Sequence, residues 1–258
     1  MSDIPTAWAE PIDPRVRLAR DRLAFALSAS ATGMVGAYML LVTAGMFPPF
    51  FRLRPFIDDP RWDLYLGGPS LVANALAALL LLGGNRAKGT QARAVLLVLA
   101  CLTGLGFWCA EHAHRVGIGQ AGPPLGNDPL RILGIRLVAL VRIAVLADLA
   151  ALSATVRGDS GFDSLRRSAI SMATVAFLLW LFVSVVHLDW GAWPLRWRNI
   201  RDLNYYLLLA ASIFCRAISF GAAALLCGHA SARARRDLEA IRAKARANDP
   251  FGPRPWPD

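Results

Sequence analysis

Residues 132–156 read ILGIRLVALVRIAVLADLAALSATV, a long apolar run that carries Arg142 and Asp148 deep inside it. Its thirteen Leu, Ile and Val residues favour membrane insertion by roughly 4 to 8 kcal/mol, while Arg142 and Asp148 oppose it by roughly 5 to 7 kcal/mol. The two terms nearly cancel. Such a segment enters a bilayer only if neighbouring helices hold it and its charges face protein or water.

The neighbours are in the same chain. Comparable apolar blocks occupy 23–47, 64–84, 94–113, 168–188 and 204–228. Each is long enough, at ~1.5 Å per residue, to cross or nearly cross a hydrocarbon layer of ~30 Å. Lone apolar strands would leave backbone groups unpaired in lipid and a barrel would show alternation, so helices are expected throughout. The fold class is an all-α integral membrane protein: six transmembrane helices, short loops and a basic C-terminal helix. Composition agrees, with 55% hydrophobic and 18% charged residues in 258 and a mean hydropathy of +0.42. These values exclude an ordinary soluble enzyme.

The first block is read as a retained span, not a signal peptide, because Asp3, Glu10, Asp13 and Asp21 precede it and its length exceeds an h-region. Residues 1–22 then form an N-terminal tail, 23–228 the membrane domain and 229–258 a basic tail. The net charge of +10 could suggest nucleic acid, but the basic residues are distributed as membrane topology would place them. Seventeen of the 28 Lys and Arg fall on the side holding both termini, eight on the other and three within spans. By the positive-inside rule both termini are cytoplasmic, in an inner membrane.

The connecting segments fit this topology. Residues 47–66 carry four prolines and six aromatics, as expected of a stiff outer loop in the headgroup zone. Trp190, Trp193 and Trp197 stand at i, i+3 and i+7 beside Arg196, Arg198 and Arg201, the pattern of a short interfacial anchor. The stretch from His229 to Asn248 should continue the sixth helix, and its thin apolar face, chiefly Leu238 and Ile241, suits anionic lipid headgroups better than a coiled coil. Four prolines among the last ten residues predict disorder there.

The charged residues inside the spans are the candidates for function. Arg142 and Asp148 are six residues apart, ~9 Å along a helix and ~120° around it, so neither bridges to the other within one helix. Counted from the outer ends of their spans, Arg142 lies ~15 Å deep, Arg216 ~18 Å and Asp148 ~24 Å. This ordering predicts an Asp148–Arg216 ion pair and leaves Arg142 without an acid at its own depth. Arg142, with Arg216 and the amide of Asn74, is thus a candidate site for a carboxylate, a phosphate or quinone carbonyls; the bland alternative is an arginine that snorkels and locks the bundle.

Other chemistry is thinly represented. His112, His114 and His187 cluster at span ends near Glu111, which in principle could hold a metal or a haem. However, His112 and His114 point ~200° apart on one helix, so no cofactor is expected. The four cysteines sit in apolar blocks and suit buried packing. Both lysines, Lys88 and Lys244, lie outside the spans, which excludes a retinal Schiff base. No HExxH, mid-span serine nucleophile motif or phosphate-binding glycine loop occurs, and one deep acid is too few for a proton pump.

Small residues mark helix contacts: Ala29, Gly33 and Ala37 in span one, Ala73 and Ala77 in span two, Gly106 and Ala110 in span three. The span-one face could serve packing within the chain or present a surface to other membrane subunits. The function expected from these residues is that of a non-catalytic structural, accessory or binding component of a membrane process. The alternatives are a small transporter or channel for an anionic or amphiphilic solute using Arg142 and Arg216, and then a haem- or metal-binding redox protein.

Overall fold

The computed structural model describes residues 13–47, 66–83, 88–115, 129–155, 162–189 and 198–247. All the described secondary structure is helical: α1 (Pro14–Gly45), α2 (Gly68–Leu82), α3 (Lys88–Arg115), α4 (Pro129–Thr155), α5 (Asp163–Asp189) and α6 (Arg198–Ala247). One helix grows on each apolar block, and most extend past it into the charged flanks. At the start of α1, the Asp13 side chain accepts from the Arg15 amide at 2.8 Å and Pro14 supplies a preset first turn.

Four helices, α1, α3, α5 and α6, are long and apolar enough to cross a membrane. The other two differ for identifiable reasons. Helix α2 has 15 residues, about 22 Å of helix, which is shorter than a typical bilayer core. Helix α4 has the length, but Arg136, Arg142 and Asp148 fall within its central turns.

Each helix packs against its neighbours in sequence, α6 returns to α1 to close the ring, and α4 also touches α6. Register can be read from contacts. In α1 and α6 the Ser231 hydroxyl donates to the Arg22 carbonyl at 2.9 Å, and a Cβ on Gly33 would stand 3.7 Å from Ala224. Rising numbers on one helix meet falling numbers on the other, so the pair is antiparallel. In α5 and α6 the Ser212 hydroxyl donates to the Ala176 carbonyl at 2.8 Å. Helices α4 and α6 run parallel, since Arg136 and Arg216 line one cleft while Arg142 meets Phe220 one to two turns further along.

Helices α1 and α6 approach closely at Gly36. A Cβ on Gly36 would lie 3.2 Å from the Phe220 Cβ and 3.3 Å from the Ala217 carbonyl oxygen, so only glycine lets these backbones meet. The small face of span one is thus used within the chain at Gly33 and Gly36, while Ala37 is exposed. In α3 the contact glycine is Gly104, which Leu71 and Val138 crowd; Gly106, expected at an interface, has open space around it, and Ala110 is exposed.

The core runs through Ala24 and Phe25 of α1, Ala78 of α2, Leu97 of α3, Leu146 of α4 and Leu226 of α6. Outside, the bundle presents large apolar side chains such as Leu99, Phe182 and Leu225, each more than half exposed. A water-soluble bundle does not leave its exterior in that state; lipid accepts it. Helix α6 continues without a break through 229–247, with Ala230, Ala234 and Leu238 forming a buried stripe at four-residue spacing. Ile241 is half-buried.

Candidate functional site: the arginines inside the bundle

Arg142 points into the bundle and is only 6% exposed. One terminal nitrogen, Nη1, donates to the Ser70 hydroxyl of α2 at 3.4 Å, and the guanidinium lies over the Phe220 ring of α6 with its carbon 5.0 Å from the centroid. Cys101, fully buried, lies nearby on α3. Helices α2, α4 and α6 therefore meet at this side chain. Its Nε is buried and makes no hydrogen bond among the described residues.

Asn74 stands one helical turn from Ser70 on the same face of α2. It has no exposed surface, and neither its amide nitrogen nor its amide oxygen has a hydrogen-bond partner among the described residues. Leaving such a group unmet costs about 1 to 3 kcal/mol. An arginine with spare donors and an amide with both functions free thus occupy the interior of one bundle. Together they can bind an oxyanion or a carbonyl, the guanidinium supplying charge and the amide a directed donor.

Asp148 is placed elsewhere than expected. Its carboxylate is held by Arg93 of α3 at 2.9 Å and by Arg166 of α5 at 3.5 Å, both near the first turns of their helices, and not by Arg216. The reason is register. Arg216 shares a cleft with Arg136, which sits twelve residues before Asp148 on the parallel helix α4, so Arg216 lies roughly 15 Å or more from the level of the carboxylate. Matching the outer ends of the two blocks placed α6 about two turns out of step with α4. Arg93 and Arg166, counted among loop charges in the sequence, belong to helices that begin earlier than the apolar blocks.

Sequence reasoning overlooked Arg136. Its guanidinium carbon lies 5.6 Å from the centroid of the Trp180 ring on α5. Arg136 and Arg216 both line a small cleft between α4, α5 and α6, along with Ser219, whose hydroxyl donates to the Arg216 carbonyl at 2.7 Å. Position in the apolar run was the available signal, since Arg136 lies only six residues before Arg142.

Glu111, His112 and His114 fall on the last turns of α3 and His187 on the last turn of α5, but their side chains lie outside those described. Trp190, Trp193 and Trp197 lie outside the described residues altogether. Among the described residues, no three of His, Cys, Asp and Glu converge as metal ligands.

The described residues define an all-helical fold with four helices suited to a membrane and an apolar core that encloses the Arg142 guanidinium and the Asn74 amide. No family model, no curated protein and no solved structure matches the chain.

Proposed function

We propose that this chain is a six-span inner-membrane protein with both termini in the cytoplasm, acting as a non-catalytic binding component that takes an anionic group at Arg142, Asn74 and Ser70. The observation that carries the reading is the unspent hydrogen-bonding capacity of Arg142 and Asn74 in the buried interior, among the described residues. A buried guanidinium without a carboxylate is costly in low dielectric, and a bound anion removes that cost.

Packing supports reading six spans and not four. Helices α2 and α4 sit in the same ring as the four long apolar helices, and α4 turns Arg142 inward. A short α2 is accommodated by local thinning or by its flanking residues. Orientation rests on the two-to-one excess of Lys and Arg on the side of the termini. The basic end of α6 meets anionic headgroups where it leaves the membrane.

The test is gentle purification followed by native mass spectrometry of what travels with the protein, comparing wild type with Arg142→Leu. An anionic small molecule or lipid retained by wild type and lost from a folded Arg142→Leu variant supports the site. Identical bound material in both refutes it. A transport reading draws on one further observation, the placement of Arg136, Arg216 and Arg142 at successive levels along α4 and α6. It predicts anion flux in proteoliposomes that Arg142→Leu abolishes.

A further inference from the structure

Helices α1 and α6 leave a groove of about 590 Å³ between them, lined by Gly33, Gly221, Ala224, Leu225, Gly228 and His229. It faces outward, since Leu225 is more than half exposed. Packing within the chain does not explain its α6 glycines: a Cβ on Gly221 or Gly228 would meet nothing within 4 Å among the described residues, and glycine inside a helix costs about 1 kcal/mol against alanine. What these two glycines do is shape the groove. From His229 to Gly221 it runs about 12 Å along α6, close to the depth of one leaflet of a ~30 Å hydrocarbon layer. Its two ends differ. The Gly221 end adjoins the buried Phe220, whereas beyond His229 the helix carries six basic residues against two acidic ones up to residue 247. The Ser231 hydroxyl donates to the Arg22 carbonyl at 2.9 Å, which brings Arg22 to this basic end. Arg22 and Ala26 precede Gly33 by eleven and seven residues, on one face of α1, and both are exposed.

From this arrangement we infer that the groove seats one acyl chain of an anionic phospholipid, whose phosphate is met by Arg22 beside the basic start of the α6 tail. The inference deepens the reading that the basic end of α6 meets anionic headgroups and rests on it, not on the Arg142 site. Shape selects a hydrocarbon chain: the groove is a floor of small residues with an apolar wall at Leu225, and it extends from the membrane surface about one leaflet inward. Charge selects the headgroup, because each arginine near an anionic lipid surface contributes about 1 kcal/mol and a zwitterionic headgroup forgoes most of that. Charge also decides against the other occupant that a glycine-lined groove suits, a second copy of the chain. Copies share one orientation in a membrane, so pairing through Gly221 and Gly228 would set two basic tails side by side.

The test titrates delipidated protein in uncharged detergent with dioleoyl phosphatidylglycerol or dioleoyl phosphatidylcholine and counts bound lipid by native mass spectrometry. Wild type should retain one phosphatidylglycerol with a clear preference over phosphatidylcholine. Gly228→Leu fills the groove without meeting any described residue, so it should fold as wild type and weaken that retention by about tenfold, as for exclusion of roughly two methylenes. Arg22→Gln should reduce the preference over phosphatidylcholine about fivefold, the worth of one cation at an anionic surface, while Arg246→Gln, at the far end of the tail, leaves it unchanged. Arg142→Leu should retain the lipid. Unaltered phosphatidylglycerol binding in a folded Gly228→Leu variant overturns the inference, and so does a wild-type dimer that Gly228→Leu dissociates, which would give the groove to a second copy. Failure of the underlying reading is seen separately: wild type would then show no more association with vesicles containing phosphatidylglycerol than with vesicles of phosphatidylcholine alone.

Discussion

The guanidinium carbon of Arg142 lies 5.0 Å from the centroid of Phe220, and Phe220 is also the residue against which Gly36 of α1 closes. One residue thereby places its ring under a buried cation and its Cβ at a close helix contact. A cation over an aromatic face is worth about 2 kcal/mol when desolvated. A double-mutant cycle of Arg142→Met and Phe220→Leu, read by unfolding in mixed micelles, should give a coupling of roughly 1 to 2 kcal/mol. A coupling below about 0.5 kcal/mol would mean that the ring only fills space.

The glycines of α1 and α3 give opposite expectations. A side chain at Gly36 meets backbone of α6 on arrival, so Gly36→Val should push α1 from α6 and destabilise by about 1 to 3 kcal/mol. Gly106 has nothing within 4 Å, so Gly106→Ala should be neutral or mildly stabilising, by up to about 1 kcal/mol. Thermal unfolding of both variants in one detergent tests the pair, and equal losses would contradict the α1–α6 contact.

Asp148 is the common acceptor for Arg93 and Arg166, so its loss leaves two cations facing each other across α4. The three side chains keep between 26% and 39% of their surface, so solvent screens the pairs. Asp148→Asn should cost about 1 to 2 kcal/mol, and Arg93→Gln less because Arg166 remains. Salt should narrow the difference from wild type. Insensitivity of unfolding to Asp148→Asn would show that the clamp carries no stability.

The helices were legible because a stretch of twenty apolar residues has one main physical use, and the inward burial of Arg142 followed from the cost of placing it in lipid. The pairing of Asp148 was not. Partner choice depends on helix register, and apolar blocks mark where lipid contact begins, not where helices begin; Arg93 and Arg166 sit in that difference. Gly104 and Gly106 make the same point. Both are small residues in one span, yet two positions rotate a residue by about 200°, and only packing decides which of them faces a neighbour.

The cysteines offer a check on burial. Cys109 is exposed near the end of α3, Cys215 is half-buried, and Cys101 and Cys227 have no exposed surface. A maleimide added to the native protein in detergent should therefore modify Cys109 first, Cys215 more slowly, and Cys101 and Cys227 only on unfolding. Peptide mass mapping over a time course gives the order, and early labelling of Cys101 would place solvent at the Arg142 site.

Asn74 separates stability from binding more sharply than any other position. Its amide is buried with both functions unmet among the described residues, so replacement by leucine, which keeps the branching without the polar atoms, removes a desolvation penalty of about 1 to 3 kcal/mol. Asn74→Leu should unfold at a higher temperature than wild type once the protein has been stripped of co-purifying material by extensive detergent washing. The same substitution removes a directed donor one helical turn from Ser70, whose hydroxyl Arg142 meets, so retention of the anionic group there should fall. Higher stability with weaker binding is the signature of a polar group kept for a ligand at the expense of packing. If Asn74→Leu instead lowers stability in the stripped protein, the amide is already satisfied within the chain, and the anion site loses its principal support.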